Sequence, residues 1–290
     1  MKVSGFTFVR NGIKLGYPVK EAIYSILPLC DEVVVVVGNS DDGTLNFIRG
    51  FNESKIKIIE SIWDDSLRTG GRILAVETNK ALEQVSPDSD WAIYIQADEV
   101  LHEGDYGKIK EAMHQYKDNT SVEGLLFKYK HFYGSFDYVG ESLRWYRREI
   151  RIIRSNIGVF SYRDAQGFRK APNEKLRVKL IDAYVYHYGW VREPKAMVKK
   201  NYSFSSLYHT DEWLEKNKQL TEEYDYSSID ALKLFEGTHP AVMHTRIAAK
   251  NWTFTHDISK NKFSLKDRFK RFVEKYTGWR PGEYRNYRII

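Results

Sequence analysis

The segment QADEVLHE, Gln96 to Glu103, follows the hydrophobic run WAIYI and delivers two adjacent carboxylates, Asp98 and Glu99, to a strand end. Two neighbouring acids repel unless one is paired, capped or bound to a metal. A hard divalent cation, Mg²⁺ or Mn²⁺, suits them, since it needs few protein oxygens when a phosphate supplies others. Capping of a helix over 104–117 explains the same residues about as well. His187, in YVYHYGW, ends another apolar strand, although buried histidines are more often structural than ligating. The turn GNSDDGT, Gly38 to Thr44, follows five consecutive valines. Its Ser40, Asp41 or Asp42 either caps the next helix or helps to hold a ligand. FVRNG, Phe8 to Gly12, ends the first strand in a similar way. In RWYRREIRIIR, five arginines interleave with Trp145 and Tyr146. Arginine forks suit phosphate, and aromatic faces suit a sugar or a base. The charge–isoleucine alternation over 149–154 predicts solvated arginine for most of them, leaving one or two for an anionic ligand.

These residues need a scaffold that gathers strand ends. Apolar, β-branched runs at Val3–Val9, Glu32–Val37, Ile56–Ile59, Trp91–Ala97 and Gly124–Tyr129 read as strands. Helical patterns near 18–29, 42–50, 70–86 and 104–117 lie between them. Leu74, Thr78, Ala81, Leu82 and Val85 share one face at helical spacing. Such alternation requires crossover connections, hence an α/β fold with a mostly parallel central sheet flanked by helices. Ligands bind outside the carboxyl ends of such strands. Beyond residue 130 the chain turns aromatic and arginine-rich. Strand-like stretches follow at 149–154 and 178–187, with helices near 194–210 and 228–235. The division expected is 1–215 for the catalytic domain and 216–290 for a helical extension packed on it.

The 290 residues are 42% hydrophobic, enough for a large core. The single cysteine, Cys30, excludes an internal disulfide and fits a reducing compartment. No run reaches the roughly 18 apolar residues of a membrane span, and a cytoplasmic protein is the expectation. The segment Lys262–Ile290 holds nine Lys/Arg against three acids and so carries the whole formal charge of +6. Basicity confined to a tail argues against a nucleic-acid surface. A last helix over 264–277, capped by Ser264 and Asp267, bears the stripe Leu265, Phe269, Phe272, Val273 and Tyr276. Packing of that stripe on the domain is the simpler expectation. Peripheral contact with the inner membrane face through the basic helix is the alternative.

Together, the S-x-DGT turn and the D-A-D-E-like segment after a hydrophobic strand resemble family 2 glycosyltransferases with the GT-A fold, in particular those acting on lipopolysaccharide and other surface glycans. The resemblance covers residues 3–103 and weakens towards 190. It implies inverting transfer of a sugar from a UDP- or GDP-sugar to a hydroxyl of a glycan or lipid-linked acceptor. It implies donor binding by Arg10, Asn11, Asn39, Asp42, Arg72, Asn79, Gln96 and Ala97. A divalent metal, Mn²⁺ or Mg²⁺, would sit on Asp98, with Glu99 or His187. Asp164, just after a strand pair, is the first choice for the base that deprotonates the acceptor, ahead of Glu174 and Asp137.

Two positions depart from the family pattern: Val37 and Gln96 stand where it has aspartates. They motivate a second reading, a non-catalytic sugar- or glycan-binding protein of the same fold. A sugar nucleotidyltransferase ranks third, because FVRNGIKLGYP lacks the glycine-rich basic cluster such enzymes carry after the first strand.

Overall fold

The computed structural model describes residues 1–217 and 221–290. The fold is mixed α/β, as the sequence predicts. Four parallel strands make the centre of the sheet: β1 (Val3–Val9), β2 (Glu32–Gly38), β3 (Ile56–Ser61) and β4 (Trp91–Tyr94), in the order β3-β2-β1-β4. The valines of β2 explain why this strand is central. Val33, Val35 and Val37 enter one apolar cluster, Val34 and Val36 the cluster on the opposite face, and all five are buried. A strand covered on both faces has no use for polar alternation.

Helices α1 (Val19–Ile26), α2 (Thr44–Arg49), α3 (Arg72–Glu83) and α4 (Tyr106–Tyr116) make or follow the crossovers. The predicted face of α3 packs as expected, with Leu74, Ala81 and Leu82 in the second cluster. Beyond β4 the sheet becomes mixed, with antiparallel and parallel pairs. β5 (Glu99–Leu101), β6 (Gly124–Tyr133), β7 (Tyr138–Gly140) and β8 (Arg148–Arg154) follow, and β8 inserts between β4 and β6. A small separate sheet contains β9 (Val159–Tyr162), β10 (Gly167–Lys170) and β11 (Glu174–Lys175). The long β12 (Arg177–Trp190) then pairs parallel with β6 and antiparallel with β5.

The rest of the chain holds α5 (Pro194–Ser205), α6 (Asp211–Lys216), β13 (Leu232–Leu234), α7 (His244–Ala248), α8 (Leu265–Thr277) and β14 (Arg288–Ile289). The helix predicted near 228–235 is instead the edge strand β13, paired antiparallel with β7. Asn261 fixes it by bonding both the N–H and the C=O of Leu232. The chain also returns to β12 through β14.

Two expectations fail for identifiable reasons. β8 is an interior strand, so its arginines are not a solvated face. Arg151 is 1% exposed. Arg154 donates to the carbonyls of Tyr116 and Lys117 at the end of α4 and of Val122 in the loop before β6, and Arg147 pairs with Glu274 and Glu283. The stripe of α8 does not pack on the domain. Leu265, Phe269, Phe272 and Tyr276 are all exposed and Val273 is half-buried, because the opposite, polar face of the helix makes the contacts. Among the described residues, no helix is long and apolar enough to cross a membrane.

Candidate active site

The ends of β1, β4 and β12 open into a crevice of about 810 Å³, within the range usual for small-molecule sites. Its floor carries Arg10 and Asn11 after β1, and Gln96, Ala97 and Asp98 after β4. His187 and Trp190 of β12, Lys200 of α5, and Asp164 complete the walls. Arg144, Arg148 and the segment Arg280–Tyr284 line the crevice as well.

The adjacent acids are separated by backbone geometry. A tight turn, closed by the Glu99 N–H donating to the Gln96 carbonyl at 3.0 Å, links β4 to β5. Glu99 is the first residue of β5 and lies opposite His187 of β12. Asp98 therefore meets the crevice, while Glu99 enters the core and is not exposed at all. The Glu99 carboxylate accepts from Arg151 Nε at 2.7 Å and Nη2 at 2.8 Å, from the Tyr129 hydroxyl at 2.8 Å, and from the Gln96 N–H at 3.2 Å. These bonds occupy both its oxygens. The structure thus makes Glu99 the partner of a buried arginine rather than a companion ligand for Asp98.

Asp98 faces a different set. Its Oδ2 lies 3.7 Å from His187 Nε2 and 3.7 Å from Lys200 Nζ. Burial alone would raise its pKa, but His187, Lys200 and Arg192 outweigh that and hold the carboxyl well below the usual range. Desolvation and the nearby Arg192 push Lys200 down to about 7. Lys200 Nζ and Arg192 both donate to the Gly189 carbonyl.

The hydrogen-bond chain fixes the imidazole tautomers. His131 Nε2 lies 2.8 Å from the Tyr146 carbonyl, which can only accept, so Nε2 carries the proton. Desolvation pushes the His131 pKa well down, so its Nδ1 is a bare acceptor. His187 Nδ1, 3.0 Å away, must then donate to it. The other ring nitrogen of His187, Nε2, is left facing the Asp98 carboxylate. Nε2 and Oδ2 so placed can share either a proton or a cation. The donor set thus fits a divalent cation with two protein ligands, Asp98 and His187, its remaining positions going to phosphate and water. Among the described residues no group of three His, Cys, Asp or Glu gathers to form a metal cage.

The other predicted residues divide by position. Arg10 lines the crevice, with its guanidinium 5.3 Å from the Trp63 ring and bonded to Asp65 at 2.6 Å. Asn11 also lines it, in the left-handed region at φ 53°, and its Oδ1 accepts the Asp41 N–H at 2.9 Å. Gln96 reaches the Ala165 carbonyl at 3.3 Å. The crevice does not include Asn39, Asp42, Arg72 or Asn79. Asn39 accepts the Trp63 N–H at 3.2 Å. Asp42 accepts the N–H of Thr44 at 3.0 Å and that of Lys14 at 2.7 Å, tying the turn after β2 to the loop after β1. Asn79 accepts the Ser161 N–H at 2.7 Å and, with exposed Arg72, borders a shallower groove behind Asp164.

No family model and no curated protein matches this chain. Solved structures similar to it include TarS 1–349 of S. aureus in complex with UDP, at 16% identity and a TM-score of 0.41, covering 77% of this chain and 68% of that one. A 4-diphosphocytidyl-2C-methyl-D-erythritol synthase from Anaerococcus prevotii is similar at 12% identity and a TM-score of 0.35, covering 53% and 71% of the two chains. The mannosyltransferase PcManGT from Pyrobaculum calidifontis, in complex with GDP-Man and Mn²⁺, gives 20% identity and a TM-score of 0.32, covering 46% and 35%. At these scores, activity has to be argued from the chain's own residues.

Asp164 borders the crevice with an asymmetric carboxylate. Oδ2 accepts the Tyr208 hydroxyl at 2.9 Å, while Oδ1 is buried without a partner. Gly71, at φ 66°, makes room for this pair: a Cβ there would lie 2.7 Å from Tyr208 and 2.9 Å from Asp164. Sequence reasoning missed Glu149, Lys200 and His131. Glu149 lines the crevice with a buried, unpartnered Oε2. Burial pushes its carboxyl up to about 8; Arg151 opposes this, while Glu99 and Asp164 reinforce it. Its place in an alternating charged run concealed it. Lys200 and His131 carry no local signal, and only the fold brings them to Asp98.

Proposed function

We propose that this chain is a glycosyltransferase that moves a sugar from a UDP- or GDP-sugar to a hydroxyl of a glycan or lipid-linked acceptor, with inversion. The observation that carries the reading is the Asp98–His187–Lys200 constellation, set at the carboxyl ends of parallel strands in a crevice of nucleotide-sugar size. The quoted sequence motifs add the family resemblance. Residues 1–215 would form the catalytic domain and 216–290 an extension packed against it.

In this reading Arg10, Asn11 and Trp63 take the nucleoside end of the donor, with Gln96 as a hydrogen-bonding partner for ribose. Lys200 and Arg148 meet the diphosphate. Asp98 and His187 Nε2 would hold Mn²⁺ or Mg²⁺, which supplies Lewis-acid neutralisation of charge on the leaving diphosphate. The Asp164 Oδ1, free of other bonds, accepts the proton of the attacking acceptor hydroxyl, and Tyr208 holds the carboxylate in place. The new bond forms between that oxygen and the anomeric carbon as the bond to the diphosphate breaks. Glu149, neutral at pH 7, is a hydrogen-bond donor to the sugar or acceptor.

The deciding experiment incubates the protein with a panel of nucleotide sugars and Mn²⁺ and measures release of nucleoside diphosphate. Hydrolysis of one donor that vanishes in Asp98→Ala supports the transferase. Donor binding without turnover, across donors and acceptors, replaces it with the binding-protein reading that Val37 and Gln96 motivate.

A further inference from the structure

Helix α8 is mounted with its apolar side outward. Leu265, Phe269, Phe272 and Tyr276 recur at helical spacing on one side and are 83, 65, 61 and 69% exposed. The opposite side holds the helix to the domain through ion pairs. Glu274 accepts from Arg147 at 2.7 Å and from Arg280 at 2.7 Å, and Arg271 donates to Glu141 at 2.8 Å. Asp267, Lys270, Arg271 and Glu274 are all less exposed than the aromatic stripe. A helix whose polar side is anchored and whose aromatic side meets solvent is built to receive something apolar.

Charge identifies the occupant. Lys266, Arg268 and Lys275 flank the stripe and are exposed, and Trp279 follows the helix at 54% exposure. A second copy of this face would set the same cations against each other. An anionic bilayer surface instead satisfies both features, taking the aromatic side chains among its acyl chains and the cations among its headgroups. Lys270 of the helix and Arg280–Tyr284 immediately beyond it line the crevice.

We propose that α8 docks the protein on an anionic membrane surface, inserting Leu265, Phe269, Phe272 and Tyr276, and so brings the crevice lined by Lys270 and Arg280–Tyr284 close to the lipid–water boundary. The docking itself does not depend on the reaction; only the further step, that the acceptor is lipid-linked, rests on the transferase reading.

The test is co-sedimentation of the full chain with vesicles of phosphatidylcholine alone or with about 30% phosphatidylglycerol. The wild type should sediment with the anionic vesicles and much less with the neutral ones. Phe269→Ser/Phe272→Ser and Lys266→Glu/Arg268→Glu/Lys275→Glu should each lower the partition coefficient at least about tenfold, with unchanged circular dichroism and melting temperature. Equal sedimentation of wild type and variants would overturn the proposal. So would absence of binding to anionic vesicles, or a solution dimer that Phe269→Ser/Phe272→Ser dissolves, which would assign the stripe to a second copy. No sugar donor is present, so failure here leaves the transferase reading intact, and failure of the donor assay leaves the docking intact.

Discussion

Replacement of Glu99 by alanine separates the two roles open to the acid beside Asp98. In the structure this carboxylate neutralises Arg151, itself 1% exposed, and accepts two guanidinium bonds, a phenol and a backbone N–H. Removing it leaves an uncompensated cation in the core, which costs about 3–5 kcal/mol. The unpaired Tyr129 hydroxyl adds about 1 kcal/mol. For a chain of this length, roughly 2 °C of melting temperature per kcal/mol gives a fall of about 8–12 °C. The double variant Glu99→Ala/Arg151→Met should recover most of that loss, because an apolar residue of similar length tolerates the site. Differential scanning calorimetry measures both, and titration with Mn²⁺ in the presence of a nucleoside diphosphate measures metal binding alongside. If Glu99→Ala melts within about 1 °C of wild type and loses Mn²⁺ binding, Glu99 is a ligand and the assignment made from its hydrogen bonds is wrong.

Three further outcomes follow from the same geometry. Glu149 has its folded pKa raised to about 8 from 4.5, so the folded state holds a proton that the unfolded state releases. Its stabilising effect is complete below about pH 4.5 and is lost as pH rises towards 8, by a few kcal/mol in all. Melting curves of Glu149→Gln and wild type should therefore diverge steadily in the variant's favour from pH 5 to 8; a constant gap would contradict this. Gly189→Ala places a methyl 2.5 Å from His187 Nε2 and 2.9 Å from Asp98 Oδ2. It should reduce donor hydrolysis by about a hundredfold or more, and metal-binding titration should show weakened Mn²⁺ affinity. Asp42→Ala removes the acceptor for two backbone N–H groups, costing about 1 kcal/mol of stability in chemical denaturation. Calorimetric affinity for nucleoside diphosphate should change less than about threefold, since Asp42 lies outside the crevice.

The sequence reveals β1 to β4 clearly because strands buried on both faces carry their environment in their composition: five valines admit few alternatives to a central strand. It also places the turns after β1 and β4 at the site, since a parallel sheet with helical crossovers delivers those ends to one edge. The turn after β2 shows where that logic stops. Asp42 has the residue type of a ligand or a cap, yet Gly43 is the N-cap of α2 and the Asp42 carboxylate ties Thr44 to the loop at Lys14, a role that local sequence cannot distinguish from the other two. Arg151 and Glu99 are 52 residues apart. Their pairing exists only because β8 inserts beside β4, a topological choice that the alternation in REIRIIR does not encode. The same insertion turns an apparently solvated strand into the setting for Glu149.

Helix α8 exposes a different limit. Its periodicity, cap and boundaries are all local, and Ser264 accepts the Asp267 N–H as the capping pattern predicts. Periodicity defines two faces but does not say which one the protein keeps. Here the choice falls to ion pairs with distant strands and loops, through Glu141 and Arg147, against the usual preference for burying aromatic side chains. Exposing four large apolar residues forgoes several kcal/mol of burial that an inward-facing stripe would gain. Such an arrangement is consistent with a folded chain only because the anchoring face carries Glu274 between Arg147 and Arg280. Glu274→Ala should therefore loosen α8 selectively, raising amide exchange across 265–277 while β1 to β4 keep their protection. Unchanged exchange in the helix would mean that other contacts hold it, and that the outward stripe is not maintained by these ion pairs.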